Sequence, residues 1–351
     1  MRTAIEGTGM YVPDNVIDNN RLAKVMDTSD EWIQRRTGIV TRHFAAMDQA
    51  TSDMAVPAAE MAVEMSGLKK QDIDYVIFAT MTPDYYFPGA GSVFQQKFGL
   101  DDVPCLDIRQ QCAGFLYGLQ LADAMIRSEQ RSQILLIGAE VHAGFMPWKS
   151  WDVVLGHSDK EITQEEFNRN TRFRDRAVLF GDGAGAFVLS SSVDDNRGLE
   201  DVVLHTDGNE VDKMWVKAGG SAYRPYFDPQ MFKEGDTTPI LNGREVFKVA
   251  VTLLPDVVNE ILKKNGYSLG DVDLFVLHQA NLRINEAVQK RLGIPDHKVY
   301  NNIQNYGNTT AATLPLVFHE AAKSYSLSSG ALVCFAALGS GLNWGAALYR
   351  C

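Results

Sequence analysis

This chain repeats itself. Residues 67–78 (Gly-Leu-Lys-Lys-Gln-Asp-Ile-Asp-Tyr-Val-Ile-Phe) line up with residues 266–277 (Gly-Tyr-Ser-Leu-Gly-Asp-Val-Asp-Leu-Phe-Val-Leu), and the offset is constant, 266 − 67 = 199 and 273 − 74 = 199. A second pair follows in the same order: Ser92-Val93 before Phe98-Gly99-Leu100, and Ala287-Val288 before Leu292-Gly293-Ile294. There the offset is 288 − 93 = 195, a drift that a loop of different length produces. The repeat predicts two related lobes, residues 1–192 and 199–351. Between them lies the polar, turn-rich stretch Ser190–Gly198. At 351 residues the chain is also longer than one hydrophobic core usually serves.

Within each lobe, short apolar runs such as Tyr75–Phe78, Ile134–Ile137, Ala186–Leu189, Leu274–Leu277 and Leu332–Phe335 are uninterrupted rather than alternating. That pattern belongs to strands buried on both faces, in a parallel sheet with helices on either side. Helical spacing between the runs, as in Gly114–Arg127, makes the class α/β. Lys and Arg number 33 against 44 Asp and Glu, a net charge of −11. Such a balance disfavours nucleic acid and anionic membrane surfaces as partners. Four cysteines with no CxxC pair exclude a zinc ribbon or a disulfide framework and predict reduced thiols. The first residues lack a signal peptide's apolar run, and no apolar stretch is long enough for a bilayer, so a cytoplasmic protein is expected. Two irregular stretches, Pro147–Arg176 and Asp207–Pro239, are too long for simple connections and read as lids or interface loops.

Three residues stand where chemistry is done. Cys112 follows a strand-like segment and opens an amphipathic helix, whose positive end favours the thiolate; the competing reading is an inert core cysteine. His278 lies at the exit of the strand Leu274–Leu277, where parallel sheets place their sites, although a structural histidine reads the same way. Asn308 opens a later helix at 308 − 112 = 196, close to the repeat offset, as a counterpart of Cys112 or as a plain cap. Gly339-Ser340-Gly341 follows the last buried strand and suits a backbone donor to an oxyanion. Other motifs carry less. Gly181-Asp182-Gly183-Ala184-Gly185 lacks the Gly-Lys-Ser/Thr ending of a phosphate loop and reads as a tight turn. Gly7-Thr8-Gly9 lacks the third glycine of a dinucleotide site, and His319-Glu320 alone makes no metal site.

Taken in order, these motifs resemble the β-ketoacyl-acyl carrier protein synthase III family of the thiolase superfamily. The set comprises Thr28-Ser29-Asp30-Glu31-Trp32 with Arg36-Thr37-Gly38-Ile39, Cys112-Ala113-Gly114-Phe115, Phe180–Gly185, His278–Arg283, Tyr306–Thr309 and Gly339-Ser340-Gly341 ahead of Trp344-Gly345. The resemblance implies a thiolase-like fold, two duplicated α/β halves in a layered αβαβα core. It also implies a decarboxylative Claisen condensation of an acyl-CoA-derived acyl group with malonyl-acyl carrier protein, without metal or organic cofactor. By the same resemblance Cys112 would carry the acyl group, and His278 and Asn308 would donate hydrogen bonds to the malonyl thioester oxygen. The amides of Cys112 and Gly341 would form the oxyanion hole. Thr28, Trp32, Arg36 and Arg174 (or Arg176 in its place) would meet the nucleotide of CoA, and Gly243, Phe247, Ala280 and Asn281 its pantetheine. Lys248 and Arg283 would contact the acidic carrier protein, and Phe87 the acyl pocket of a homodimer partner. Gln111, where the family commonly has a small residue, and the long Pro147–Arg176 stretch depart from the pattern. They keep open an acyltransferase of secondary metabolism with another acceptor; a third reading, a non-catalytic acyl-binding subunit, is opposed by the intact Cys-His-Asn set, since a pure binder needs no nucleophile.

Overall fold

The computed structural model describes residues 2–351 apart from 195 and 326. The strands are β1 (Arg2–Tyr11), β2 (Asn15–Asp18), β3 (Thr41–Phe44), β4 (Tyr75–Ala79), β5 (Cys105–Ile108), β6 (Gln133–Glu140) and β7 (Gly183–Ser192), followed by β8 (Gly198–Thr206), β9 (Met214–Trp215), β10 (Ile240–Leu241), β11 (Leu274–Leu277), β12 (Leu332–Gly339) and β13 (Asn343–Arg350). One sheet has the order β1-β7-β6-β4-β5 and the other β8-β13-β12-β11. The polar stretch Ser190–Gly198 runs from the end of β7 into the start of β8, and its Asp195 lies outside the described residues.

Five layers result. The helices Gly114–Arg127 and Thr313–Tyr325 lie between the sheets, where Phe115, Leu119, Leu314 and Phe318 pack with Ile77, Leu136, Val276 and Phe335. The helices Thr51–Ser66 and Gly91–Phe98 cover the outer face of the first sheet, and Gly243–Lys264 with Leu282–Leu292 that of the second. In β4, Val76 and Phe78 join the outer cluster while Ile77 joins the inner one, and all three are fully buried. Double coverage is therefore why the strand is apolar without alternation. Each such side chain contributes about 2 kcal/mol of burial.

Double coverage does not fix strand direction, and there the expectation of a parallel sheet needs correction. β4 runs parallel to β5 and β6, and β11 parallel to β12. However, β7 is antiparallel to both β1 and β6, and β13 to both β12 and β8. The pairing of Gly339 with Asn343 leaves only residues 340–342 to reverse the chain. Gly7 and Gly9 lie within β1, where a Cβ would overlap the carbonyl oxygens of Ala62 and Ala58. They let a helix approach a strand.

The repeat offset runs through the tertiary structure. Pairing of Tyr75 with Ile134 recurs as Leu274 with Val333, both shifted by 199. The Pro147–Arg176 stretch carries the short helices Trp151–Val154, Gln164–Arg172 and part of Arg174–Ala177. Trp148, Val153 and Val154 bury themselves against Leu22, Met26 and Ile33. Asn170 Nδ2 donates to the Val25 carbonyl at 3.0 Å, so this segment is docked on residues 17–39.

Candidate active site

Cys112 sits in a single 3-10 turn, Gln111–Ala113, that feeds directly into the helix Gly114–Arg127. Gln111 enters the turn with a left-handed backbone, φ 45°. The second half repeats this device at Thr310, φ 51°, with a 3-10 turn Thr310–Ala312 leading into Thr313–Tyr325. Since 310 − 111 = 199 and 313 − 114 = 199, the counterpart of Cys112 is Ala311. Asn308 precedes that point by three residues, which corrects its reading as the echo of Cys112.

His278 leaves β11 with its amide bonded to the Ala336 carbonyl at 2.9 Å. Its Nδ1 lies 2.5 Å from Thr313 Oγ1, while Nε2 is buried without a protein partner. Asn308 is held through its backbone: its N–H donates to Leu179 O at 2.8 Å, and its carbonyl accepts from Gly181 N at 3.1 Å. Its Oδ1 accepts the Thr310 N–H at 2.9 Å, which turns Nδ2, a pure donor, the other way. The Gly181–Gly185 motif is not the expected tight turn: Gly183–Gly185 open β7, and it is Gly181, just before the strand, that clamps Asn308. Asp182 within the motif is fully buried and accepts the amides of Ala45 and Ala143, each at 2.9 Å.

Cys112, His278 and Asn308 line one cavity of about 530 Å³, together with Trp32, Arg36, Gly243, Ala280 and Asn281. Its walls are otherwise largely apolar, with Leu179, Val246, Leu254 and Leu338. Trp32 stands on the first turn of Asp30–Thr37, a helix capped by Ser29 Oγ on the Trp32 amide and closed by Gly38 at φ 77°. The guanidinium groups of Arg36 and Arg174 lie 4.6 and 4.9 Å from its ring centre. Arg174 also donates to the Asp27 carbonyl at 2.5 Å. Arg176 instead donates to Pro239 O at 2.7 Å, so Arg174 is the one that reaches Trp32. Asn281 Oδ1 caps the helix Leu282–Leu292 through the Arg283 amide.

Thr28, Arg174, Phe247, Lys248, Arg283, Gly341 and Phe87 are not part of the cavity lining. The Thr28 hydroxyl is buried without a partner, and Phe247 is partly exposed beside Val246. Lys248 pairs with Glu245 at 2.7 Å. Arg283 ties Leu282–Leu292 to the carbonyls of Gln34 and Arg35 and pairs with Glu286 at 2.8 Å. Phe87 is 82% exposed. Gly341, at φ 137°, packs against Asn343, whereas the glycine against Cys112 is Gly339. A Cβ on Gly339 would lie 2.8 Å from the Cys112 amide nitrogen.

Electrostatics overturn the thiolate expectation. Cys112 keeps partial exposure through the cavity but is densely surrounded by protein. Desolvation, followed by the Glu140 carboxylate, pushes its thiol up to about 12. That is on the order of 4 kcal/mol against the thiolate, more than the ~0.3–1 kcal/mol a helix terminus supplies. Burial holds the His278 imidazole down at about 3. The free site is a neutral thiol beside a neutral imidazole. Glu140 itself is fully buried and is pushed up to about 7 by desolvation, although it accepts from Thr82 Oγ1 at 2.6 Å and the Thr82 amide at 3.1 Å. Sequence reading missed Glu140 and Thr313, and within Gly339-Ser340-Gly341 it chose Gly341 where the structure sets Gly339 against Cys112. Extending the offset of 199 pairs Glu140 with Gly339, and that was the available signal.

Two sheets sandwiching paired central helices, with a cysteine at the head of one of them, make this a thiolase-fold synthase. Residues 106–159 and 161–208 match the family profile described as 3-Oxoacyl-[acyl-carrier-protein (ACP)] synthase III, and residues 262–351 its C-terminal counterpart. The chain is 39% identical over 349 residues to the beta-ketoacyl-[acyl-carrier-protein] synthase III of Ehrlichia canis, covering 99% of each. It is 38% identical to that of Clostridium perfringens over 344 residues, 98% of each. The crystal structure of 3-oxoacyl-[acyl-carrier-protein] synthase III from Aquifex aeolicus superposes with a TM-score of 0.85 at 36% identity, over 99% of this chain and 100% of that one. The chain belongs to the 3-oxoacyl-[acyl-carrier-protein] synthase III family and is a condensing acyltransferase of fatty acid biosynthesis. No helix among the described residues is long and apolar enough to cross a membrane.

Proposed function

We propose that Cys112, His278 and Asn308 are the catalytic set with which this enzyme joins an acyl group from acyl-CoA to malonyl-acyl carrier protein. The observation that carries the assignment is the one cavity lined by Cys112, His278 and Asn308, where, among the described residues, His278 Nε2 is buried without a partner and Asn308 spends its Oδ1 on the Thr310 amide. In the first step the Cys112 sulfur attacks the acyl-CoA carbonyl. The new thioester forms on Cys112, and the thiol proton leaves with CoA. Because the resting thiol is neutral, deprotonation accompanies attack instead of preceding it. In the second step the malonyl group loses carbon dioxide, and its enolate attacks the acyl-Cys112 carbonyl. Collapse expels the Cys112 thiolate, which takes one proton from solvent for the next cycle. His278 and Asn308 hold the enolate oxygen, each donor worth about 3 kcal/mol in the transition state.

The same reading gives Trp32, with Arg36 and Arg174 at its ring and Thr28 nearby, to the CoA nucleotide. It gives Gly243, Phe247, Ala280 and Asn281 to the pantetheine, and the Cys112 and Gly341 amides to the oxyanion. Lys248 and Arg283 are its carrier-protein contacts. The exposed Phe87 is its point of contact with a second copy in a homodimer, and the compartment is the cytoplasm. No bound cofactor takes part. Division of the chain into lobes 1–192 and 199–351 belongs to the reading as well. Intact-protein mass spectrometry with a panel of acyl-CoA donors tests it. An adduct of acyl mass is expected on the wild type and none on Cys112→Ala, while His278→Ala still acylates but no longer consumes malonyl-acyl carrier protein. Full condensation by His278→Ala would refute the assignment.

A further inference from the structure

His278 has two ring nitrogens and the protein engages only one. Nδ1 lies 2.5 Å from Thr313 Oγ1, and Nε2 has no partner. The Thr313 hydroxyl has one hydrogen, which it can give to His278 Nδ1 or, while accepting from a protonated Nδ1, to the Thr310 carbonyl at 3.1 Å. Hydroxyl-to-oxygen bonds run about 2.5–3.0 Å, so the carbonyl lies at the outer edge of reach and the imidazole well inside it. The donor role given to His278 at Nε2 selects the first arrangement, with the hydroxyl hydrogen on the short contact to Nδ1. A neutral imidazole that accepts at Nδ1 carries its own hydrogen on Nε2.

The first half shows what this contact replaces. His278 corresponds to Ala79 and Thr313 to Gly114, since 278 − 79 = 199 and 313 − 114 = 199. Those two residues also meet: a Cβ on Gly114 would lie 3.2 Å from that of Ala79. One meeting point in the repeat is thus alkyl against hydrogen in the first half, and imidazole against hydroxyl in the second.

Resting on the catalytic role given to His278, we propose that Thr313 is a positioning residue whose hydroxyl, by donating to Nδ1, keeps the His278 proton on Nε2, facing the bound malonyl thioester. With the opposite tautomer Nε2 would offer a lone pair to a developing enolate and repel it. The acylation step makes no such demand, so Thr313 acts in decarboxylation and condensation only.

Thr313→Val keeps the shape and removes the hydrogen; Thr313→Ser keeps the hydrogen. Acyl transfer to Cys112 should stay within about twofold in both, which also reports intact folding. Malonyl-acyl carrier protein consumption should fall at least about tenfold in Thr313→Val and return to within about threefold of wild type in Thr313→Ser. Nitrogen NMR on 15N-histidine protein, with the His278 signals identified by their loss in His278→Ala, should show hydrogen on Nε2 in the wild type. A wild-type tautomer with hydrogen on Nδ1, condensation by Thr313→Val at the wild-type rate, or equal loss of acylation and condensation would each overturn the proposal. Failure of the underlying reading looks different: no acyl adduct forms on wild-type Cys112, or His278→Ala condenses normally.

Discussion

The two halves share a backbone plan and differ in a few side chains, and those side chains make the site. Each has a left-handed residue, a 3-10 turn and a central helix, at Gln111 and Thr310 respectively. On that common frame the first half puts Cys112, Ala79 and Glu140 where the second has Ala311, His278 and Gly339. Each turn is also gripped by the other half. Gly339 of β12 touches Cys112, and Gly138 of β6 approaches Ala311, whose carbonyl carbon a Cβ there would meet at 2.9 Å. Duplication supplied two equivalent strand-end crossings. Unequal residues at them let one hold a nucleophile under an open cavity, while the other closed around a buried carboxyl.

The strongest way to break this comparison is to move the nucleophile. Cys112→Ala with Ala311→Cys places a thiol at the equivalent point, but with Ala79 in place of the imidazole. No acyl adduct should be found by mass spectrometry with any donor, and an adduct on residue 311 would mean that the frame alone confers reactivity. Next in size is Gly339→Ala. The added methyl meets backbone at Cys112 and not a flexible side chain, so the nucleophile must shift. Acyl transfer is expected to drop about 100-fold, measured as the rate of adduct formation.

A smaller effect concerns the thiol itself. With Cys112 pushed up to about 12 and His278 held near 3, no thiolate–imidazolium pair exists at neutral pH. Iodoacetamide labelling of Cys112 should therefore climb about tenfold per pH unit across the neutral range. A plateau there would reveal an ion pair.

The least effect separates Glu140 from Gly339. Glu140 titrates near 7 in the fold against 4.5 when unperturbed. Between these values the unfolded chain has released a proton that the folded one still holds. Glu140 thus favours the folded state below the window, and that contribution is lost as pH rises through it. Glu140→Gln removes this dependence, so its stability relative to wild type should rise across the window by roughly 1–3 kcal/mol in urea unfolding. A constant difference at all pH values would show that Glu140 does not titrate there.

Much of the fold was legible because burial on two faces leaves a mark in one dimension. Val76, Ile77 and Phe78 are all apolar since alternate residues enter different layers, and the repeat announced that the layers come twice. Strand direction left no such mark, because β7 is as apolar as β4 whichever way it runs. Cys112, His278 and Asn308 could be picked out by their places at strand ends and helix starts. Their partners could not. Nothing about Thr313 in the sequence says that its hydroxyl meets an imidazole 35 residues earlier. Gly339-Ser340-Gly341 could be read as a backbone segment near the site, but not which of its glycines lies against the Cys112 amide.

The sequence alone determined the doubled α/β plan and the buried strands, since periodicity and repetition are written along the chain, and it singled out the three side chains proposed as catalytic. Tertiary structure decided the direction of the outer strands, the protonation of the site and the residues that hold it. Those depend on desolvation and on contacts between segments that only folding brings within a few ångströms.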